Sequence, residues 1–181
     1  MTEFKLSATQ EKLLEQNIIE ITDEIGSDSF FYVREAILRL IGKGSPDITL
    51  IVSSGGGSVS PGLSIYDALR FYQGKKTGIV VGFARSMAVV ILQACETRKS
   101  YQHAGILIHH ISQRSVSLDT LRVPKRTKQL KDGLEEDQKR IYTILGLKTS
   151  KSIDEIRKAC EKEIEMTPEQ AKEFGLIDEI I

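Results

Sequence analysis

Three short segments carry residue types suited to nucleophilic chemistry. In Gly82-Phe83-Ala84-Arg85-Ser86-Met87-Ala88 a hydroxyl stands between a strand-like and a helix-like apolar stretch. Ser86 would therefore lie at a helix N-terminus, where unpaired amides and the helix dipole favour a developing oxyanion. The position also suits an ordinary N-cap serine, and the segment is not the G-x-S-x-G elbow. In Ser54-Gly55-Gly56-Gly57-Ser58 the glycines leave N–H groups unshielded and allow positive φ. Such a turn can aim donors at an anion or an extended backbone. No Lys-Ser/Thr follows it and no G-x-G-x-x-G is present, so it does not read as a phosphate loop; a plain tight turn is the alternative. His109 supplies an imidazole, the side chain whose ordinary pKa suits a general base near neutral pH. Neighbours on a strand point to opposite faces, so at most one of His109 and His110 serves the same site. No carboxylate stands at ligand spacing from His103, His109 or His110, so no metal site is expected.

The hydrophobic pattern supplies the elements that must position these groups. Strands are expected at 17–22, 48–53, 78–82 and 105–109. A helix over 30–41 repeats Val33, Ile37, Leu40 and Ile41 at helical spacing, after cap oxygens at Ser27-Asp28-Ser29 and before Gly42 and Gly44. A second over 61–73 offers Leu63, Tyr66, Leu69 and Phe71 for burial. A third over 86–97 is apolar almost all round and should be buried. This alternation implies an α/β fold of repeated βαβ units with a mainly parallel sheet. Sites in such sheets form at the carboxyl ends of strands, where all three segments fall.

Two regions flank this unit. Residues 1–16 are polar and read as a helical or mobile N-terminal arm. Residues 113–165 are highly charged and read as helical. Leu130, Leu134, Ile141 and Leu145 form one narrow stripe there, Gly146 comes next as a stop, and Ser152 caps a second helix carrying Ile153 and Ile156. A narrow stripe with charged flanks suits either a partner copy or the chain's own domain.

Composition limits the function classes. The chain has 181 residues, with 25 Lys+Arg against 25 Asp+Glu, so no net charge draws it to nucleic acid or acidic membranes. Aromatic residues are 6% and Trp is absent, which leaves no stacking platform for bases. Near Met87 the longest apolar run is too short for a bilayer, and no targeting segment is read at the start. Cys95 and Cys160 have no CxxC pairing and read as reduced thiols of a cytoplasmic protein.

Taken in order, the segments resemble the proteolytic subunit of the Clp protease (ClpP), a serine peptidase family of crotonase-like fold with a protruding helical handle. Ser54-Gly55-Gly56-Gly57-Ser58-Val59-Ser60-Pro61-Gly62-Leu63-Ser64-Ile65-Tyr66-Asp67 is similar to the family's S-P-G-G-S-V-x-x-G-x-x-I-Y-D. The Gly82 segment is similar to G-x-A-A-S-M-G/A, and Leu107-Ile108-His109 to M-I-H. Met166-Thr167-Pro168-Glu169-Gln170-Ala171-Lys172-Glu173-Phe174-Gly175-Leu176-Ile177-Asp178 is similar to the closing M-S-x-x-E-A-x-E-Y-G-L-I-D. The likeness spans 17–181, a single peptidase domain with its handle near 113–150.

The resemblance implies Ser86 as nucleophile, His109 as general base, and the Gly57 and Met87 N–H groups as the oxyanion hole. Counting back from Met166, the family's catalytic Asp falls on Glu163, with Glu161 and Glu165 close by. The substrate would be unfolded polypeptide, cleaved inside a homo-oligomeric ring of seven subunits, two rings stacking through the handle. No cofactor is implied in this chain; ATP would be used only by a partner AAA+ unfoldase. Three departures stand out. Arg85 replaces a small residue, and would either lower the nucleophile's pKa or point to solvent. Residues 1–16 do not match the family's axial loop, which bears on docking of an unfoldase. Residues 113–124 lack its Gly-rich handle strand. The alternatives are an inactive ring subunit of this family and a crotonase-type acyl-CoA enzyme, the latter disfavoured by the Ser86/His109 pairing.

Overall fold

A computed structural model describes residues 4–113 and 115–181. Its centre is a sheet of six strands in the order β1-β2-β3-β4-β6, with β5 paired to β3. The strands are β1 (Ile18–Ile21), β2 (Ile48–Ser54), β3 (Lys76–Arg85), β4 (Thr97–Ser100), β5 (Gly105–Leu107) and β6 (Glu179–Ile180). Every strand pair is parallel. The expected mainly parallel α/β architecture is what forms. β2 lies between β1 and β3, and Ile48, Leu50 and Val52 on one face are buried, as an apolar interior strand requires.

Helices α2 (Ser27–Gly42), α3 (Val59–Phe71) and α4 (Met87–Leu92) pack together beside this sheet. In α2, Val33, Ile37 and Leu40 are buried while Ile41 is partly exposed. In α3, Leu69 is buried but Phe71 is 68% exposed, so one expected core residue faces out. The short helix α4 is buried along its whole length. The expected helix over 86–97 ends at Leu92, and the last residue of that span begins strand β4 instead. β4 is polar in sequence, and its buried Arg98 is bonded by Asp178 from 80 positions away.

Of the expected arm, residues 1–3 lie outside the described residues; the remainder holds α1 (Ala8–Glu15), closed by a Ser7–Gln10 capping box. The charged region is helical with interruptions: α5 (Leu118–Arg122), α6 (Pro124–Thr149) and α7 (Ile153–Lys162). Gly146 does not stop α6, which runs on to Thr149 and ends at left-handed Ser150. A Cβ on Gly146 would stand 3.2 Å from the Lys151 carbonyl and 3.5 Å from Ile156, so the glycine admits α7 rather than ending α6. Along the stripe only Ile141 and Leu145 are buried; Leu130 and Leu134 are half-buried. Ser152 caps α7 as expected, and α8 (Pro168–Phe174) closes the chain onto β6.

Candidate active site

The Ser86 turn is prepared by a fault in β3. Val52 pairs with Val80 but Ser54 pairs with Ala84, so β3 carries extra residues around Gly82, which has φ 74. A bulge of this kind bends a strand and re-aims the residues beyond it. Before the bulge β3 pairs with β4; after it, residues 83–85 pair with β5. Ser86 then turns at φ 55 and ψ −125, outside the regions that L-residues favour. Its N–H donates to the Leu107 carbonyl at 2.8 Å, which fixes it against β5. The hydroxyl makes no cap bond to α4, so the ordinary N-cap reading does not hold. Met87, the first residue of α4, directs an N–H that has no intrahelical partner.

The glycine turn leans directly on this corner. Gly56 has φ 91, and a Cβ there would stand 2.7 Å from both the Arg85 carbonyl and Ser86 Cβ. Gly57 has φ 151, and its Cβ would meet the Ile25 carbonyl at 2.3 Å. The turn is held by Ile25 N–H donating to the Gly56 carbonyl and Ser58 N–H donating to the Ile25 carbonyl, each at 2.8 Å. Buried Ser54 adds a hydroxyl that donates to the Asp23 carbonyl at 2.6 Å and accepts from the Gly56 N–H at 3.2 Å. Two glycines are therefore demanded by contact and conformation together.

Gly57, Ser86, Met87 and His109 line one cavity of about 370 Å³. His109 lies two residues beyond β5, which is shorter than the expected strand over 105–109. His110 goes elsewhere: its Nδ1 meets the Tyr142 hydroxyl at 2.8 Å in a separate groove on α6. The two histidines thus part to different sites, although both lie beyond the end of β5. Sequence reasoning missed the contribution of α6, which sends Leu134, Asp137, Ile141 and Leu145 into the cavity wall, and of Glu24 at its edge. Asp137 also pairs with Arg140 at 3.0 Å. The spacing 134, 137, 141, 145 places these on one helical face, a signal present in the sequence.

The acid side is assembled differently. Glu163 ends α7 in a left-handed conformation (φ 47), is exposed, and does not line the cavity. Among the described residues, no hydrogen bond joins it to His109. Glu161 bonds Arg157 at 2.7 Å. Glu165 accepts from Arg85 Nε at 2.6 Å. Arg85 therefore neither flanks the Ser86 hydroxyl nor simply faces solvent. Its guanidinium also lies 4.7 Å from the Phe83 ring centroid. Neither thiol is a competing nucleophile: both are free and buried, and burial pushes Cys95 up to about 12 and Cys160 up to about 11.

The Clp protease family model matches residues 2–181. This chain belongs to the Clp protease family, and its mainly parallel α/β sheet is of the crotonase-like kind that goes with that family. Among the described residues, no helix is long and apolar enough to cross a membrane.

Proposed function

We propose that the chain is a working serine endopeptidase that cleaves unfolded polypeptide inside an oligomeric ring. Ser86 Oγ attacks the peptide carbonyl while His109 takes its proton. The oxyanion is held by the Gly57 and Met87 N–H groups, and His109 returns the proton to the leaving amine. Water then releases the acyl group by the same steps in reverse. Glu163 is the carboxylate assigned to orient the imidazole. One observation carries the reading: a serine at positive φ whose hydroxyl makes no cap bond lines one cavity with Gly57, Met87 and His109. The apolar lining from α6 gives a substrate side chain somewhere to bind. The ring has seven subunits, as the family resemblance implies, and stacks on a second through α6, where half-buried Leu130 leaves apolar surface for a contact. ATP is spent by a partner AAA+ unfoldase, not here, and two free thiols suit a reducing cytoplasm.

A second reading, an inactive ring subunit, is favoured by one observation: among the described residues, no hydrogen bond ties Glu163 to His109. Ser86→Ala separates the two. Hydrolysis of a fluorogenic peptide should fall about 10⁴-fold or more, with the mass of the intact assembly unchanged. Equal hydrolysis by wild type and Ser86→Ala would sink the peptidase reading.

A further inference from the structure

Glu163 lies just past α7 and precedes a short segment, residues 164–166, that reaches the sheet at one point. There Ile106 and Met166 exchange hydrogen bonds, Ile106 N–H to the Met166 carbonyl at 3.0 Å and Met166 N–H to the Ile106 carbonyl at 2.7 Å. Next to this bridge, Arg85 reaches across β5 to Glu165. The crossing passes over Gly105, where a Cβ would stand 2.5 Å from Glu165 Cδ and from its Oε1. Phe83, two residues before Arg85 on the same strand face, lies under the guanidinium. The pair thus joins three pieces of chain: β3, which ends next to Ser86; β5, which leads to His109; and the segment that carries Glu163. Arg85 is one residue from Ser86, Glu165 two from Glu163, and the crossing point Gly105 four from His109. The pair lines a recess separate from the catalytic cavity, together with His103 and Glu169.

We propose that Arg85 and Glu165 are positioning residues, a clamp that sets where Glu163 stands relative to the imidazole. The inference rests on the peptidase reading above. It gives the Arg85 departure a physical role: the cation fixes the strand beside the acid. It also gives the Glu165 carboxylate a partner other than the imidazole.

The test uses the assembled full chain, with Arg85→Ala, Glu165→Gln and the exchanged pair Arg85→Glu/Glu165→Arg. In each single variant kcat for a fluorogenic peptide should fall about tenfold with KM nearly unchanged. Without the clamp the Glu163 carboxylate should stabilise the imidazolium less during turnover, so the acidic limb of kcat/KM should move to lower pH by about half a unit. The Met166 amide should exchange with solvent about tenfold faster. The exchanged pair should recover most of both losses. Single variants whose pH limb and Met166 exchange match the wild type, or an exchanged pair that recovers nothing, would overturn the clamp. Wild-type chain that takes up no fluorophosphonate would instead overturn the peptidase reading and this role with it.

Discussion

Around Ser86 the chain is fixed by backbone packed on backbone; around Glu163 it is fixed by charge pairs facing water. On the first side Gly56 and Gly57 sit within contact distance of Ser86 and Ile25, and α4 beneath is buried throughout. On the second, α7 buries only Ile156 and Cys160, and its outer face carries Arg157 between Asp154 and Glu161. Exposed pairs of this kind add little to stability and weaken with salt. The proposed nucleophile Ser86 and the proposed oxyanion donors Gly57 and Met87 are therefore positioned by backbone packing within the chain. The proposed acid, Glu163, is flanked instead by side-chain pairs at the surface, the Arg85–Glu165 pair among them.

Glycine substitutions break this comparison most sharply. Gly56→Ala forces a side chain into φ 91 with atoms at 2.7 Å. It should cost about 3 kcal/mol of stability and remove nearly all peptidase activity, as read by chemical denaturation and peptide hydrolysis. Gly55, with open space around its Cβ position, should tolerate Ala. An active, stable Gly56→Ala would show that the turn is not packed as described.

A smaller effect is expected at the far edge of the sheet, where a charge pair is partly buried. Arg98 is nearly buried and bonds Asp178, Gln93 and the Gly175 carbonyl. Burial alone would push the Asp178 carboxyl up; the hydrogen bonds from Arg98 outweigh it and hold the carboxyl below its ordinary value. A lowered value means that this stabilisation is complete above about pH 4 and is lost as pH falls through the folded value. Asp178→Asn should cost about 2 kcal/mol at pH 7, and the gap to wild type should close under acid. A gap that persists in acid would remove the ionic explanation.

The smallest effect lies on α6. Gly133 is exposed in the middle of a 26-residue helix, with open space around its Cβ position. Gly133→Ala should raise stability by about 0.5–1 kcal/mol and leave the peptide rate unchanged. A loss of stability there would mean that α6 is covered at that point by another subunit.

Much of this was legible in the sequence, and the misses have a common cause. The apolar runs of β2 and β3, the glycine turn and Ser86 are local signals, and they mark the rigid half of the site. β4 was hidden because Thr97-Arg98-Lys99-Ser100 is polar, and partners distant in sequence, Asp178 and the Gly175 carbonyl, help to make Arg98 tolerable inside. Gly146 read as a helix stop because its reason is a tertiary contact with α7. The α6 lining of the cavity was visible as a periodicity but not as a destination. Arg85 read as a cation that either lowers the nucleophile's pKa or points to solvent, since its partner Glu165 lies 80 positions away in sequence.

The central claim, that Ser86 is an activated nucleophile, is tested most directly by mass-spectrometric mapping after exposure of the assembled chain to a fluorophosphonate probe. One adduct per subunit is expected, on Ser86 and absent in His109→Ala. An unmodified Ser86 in an intact assembly would contradict it.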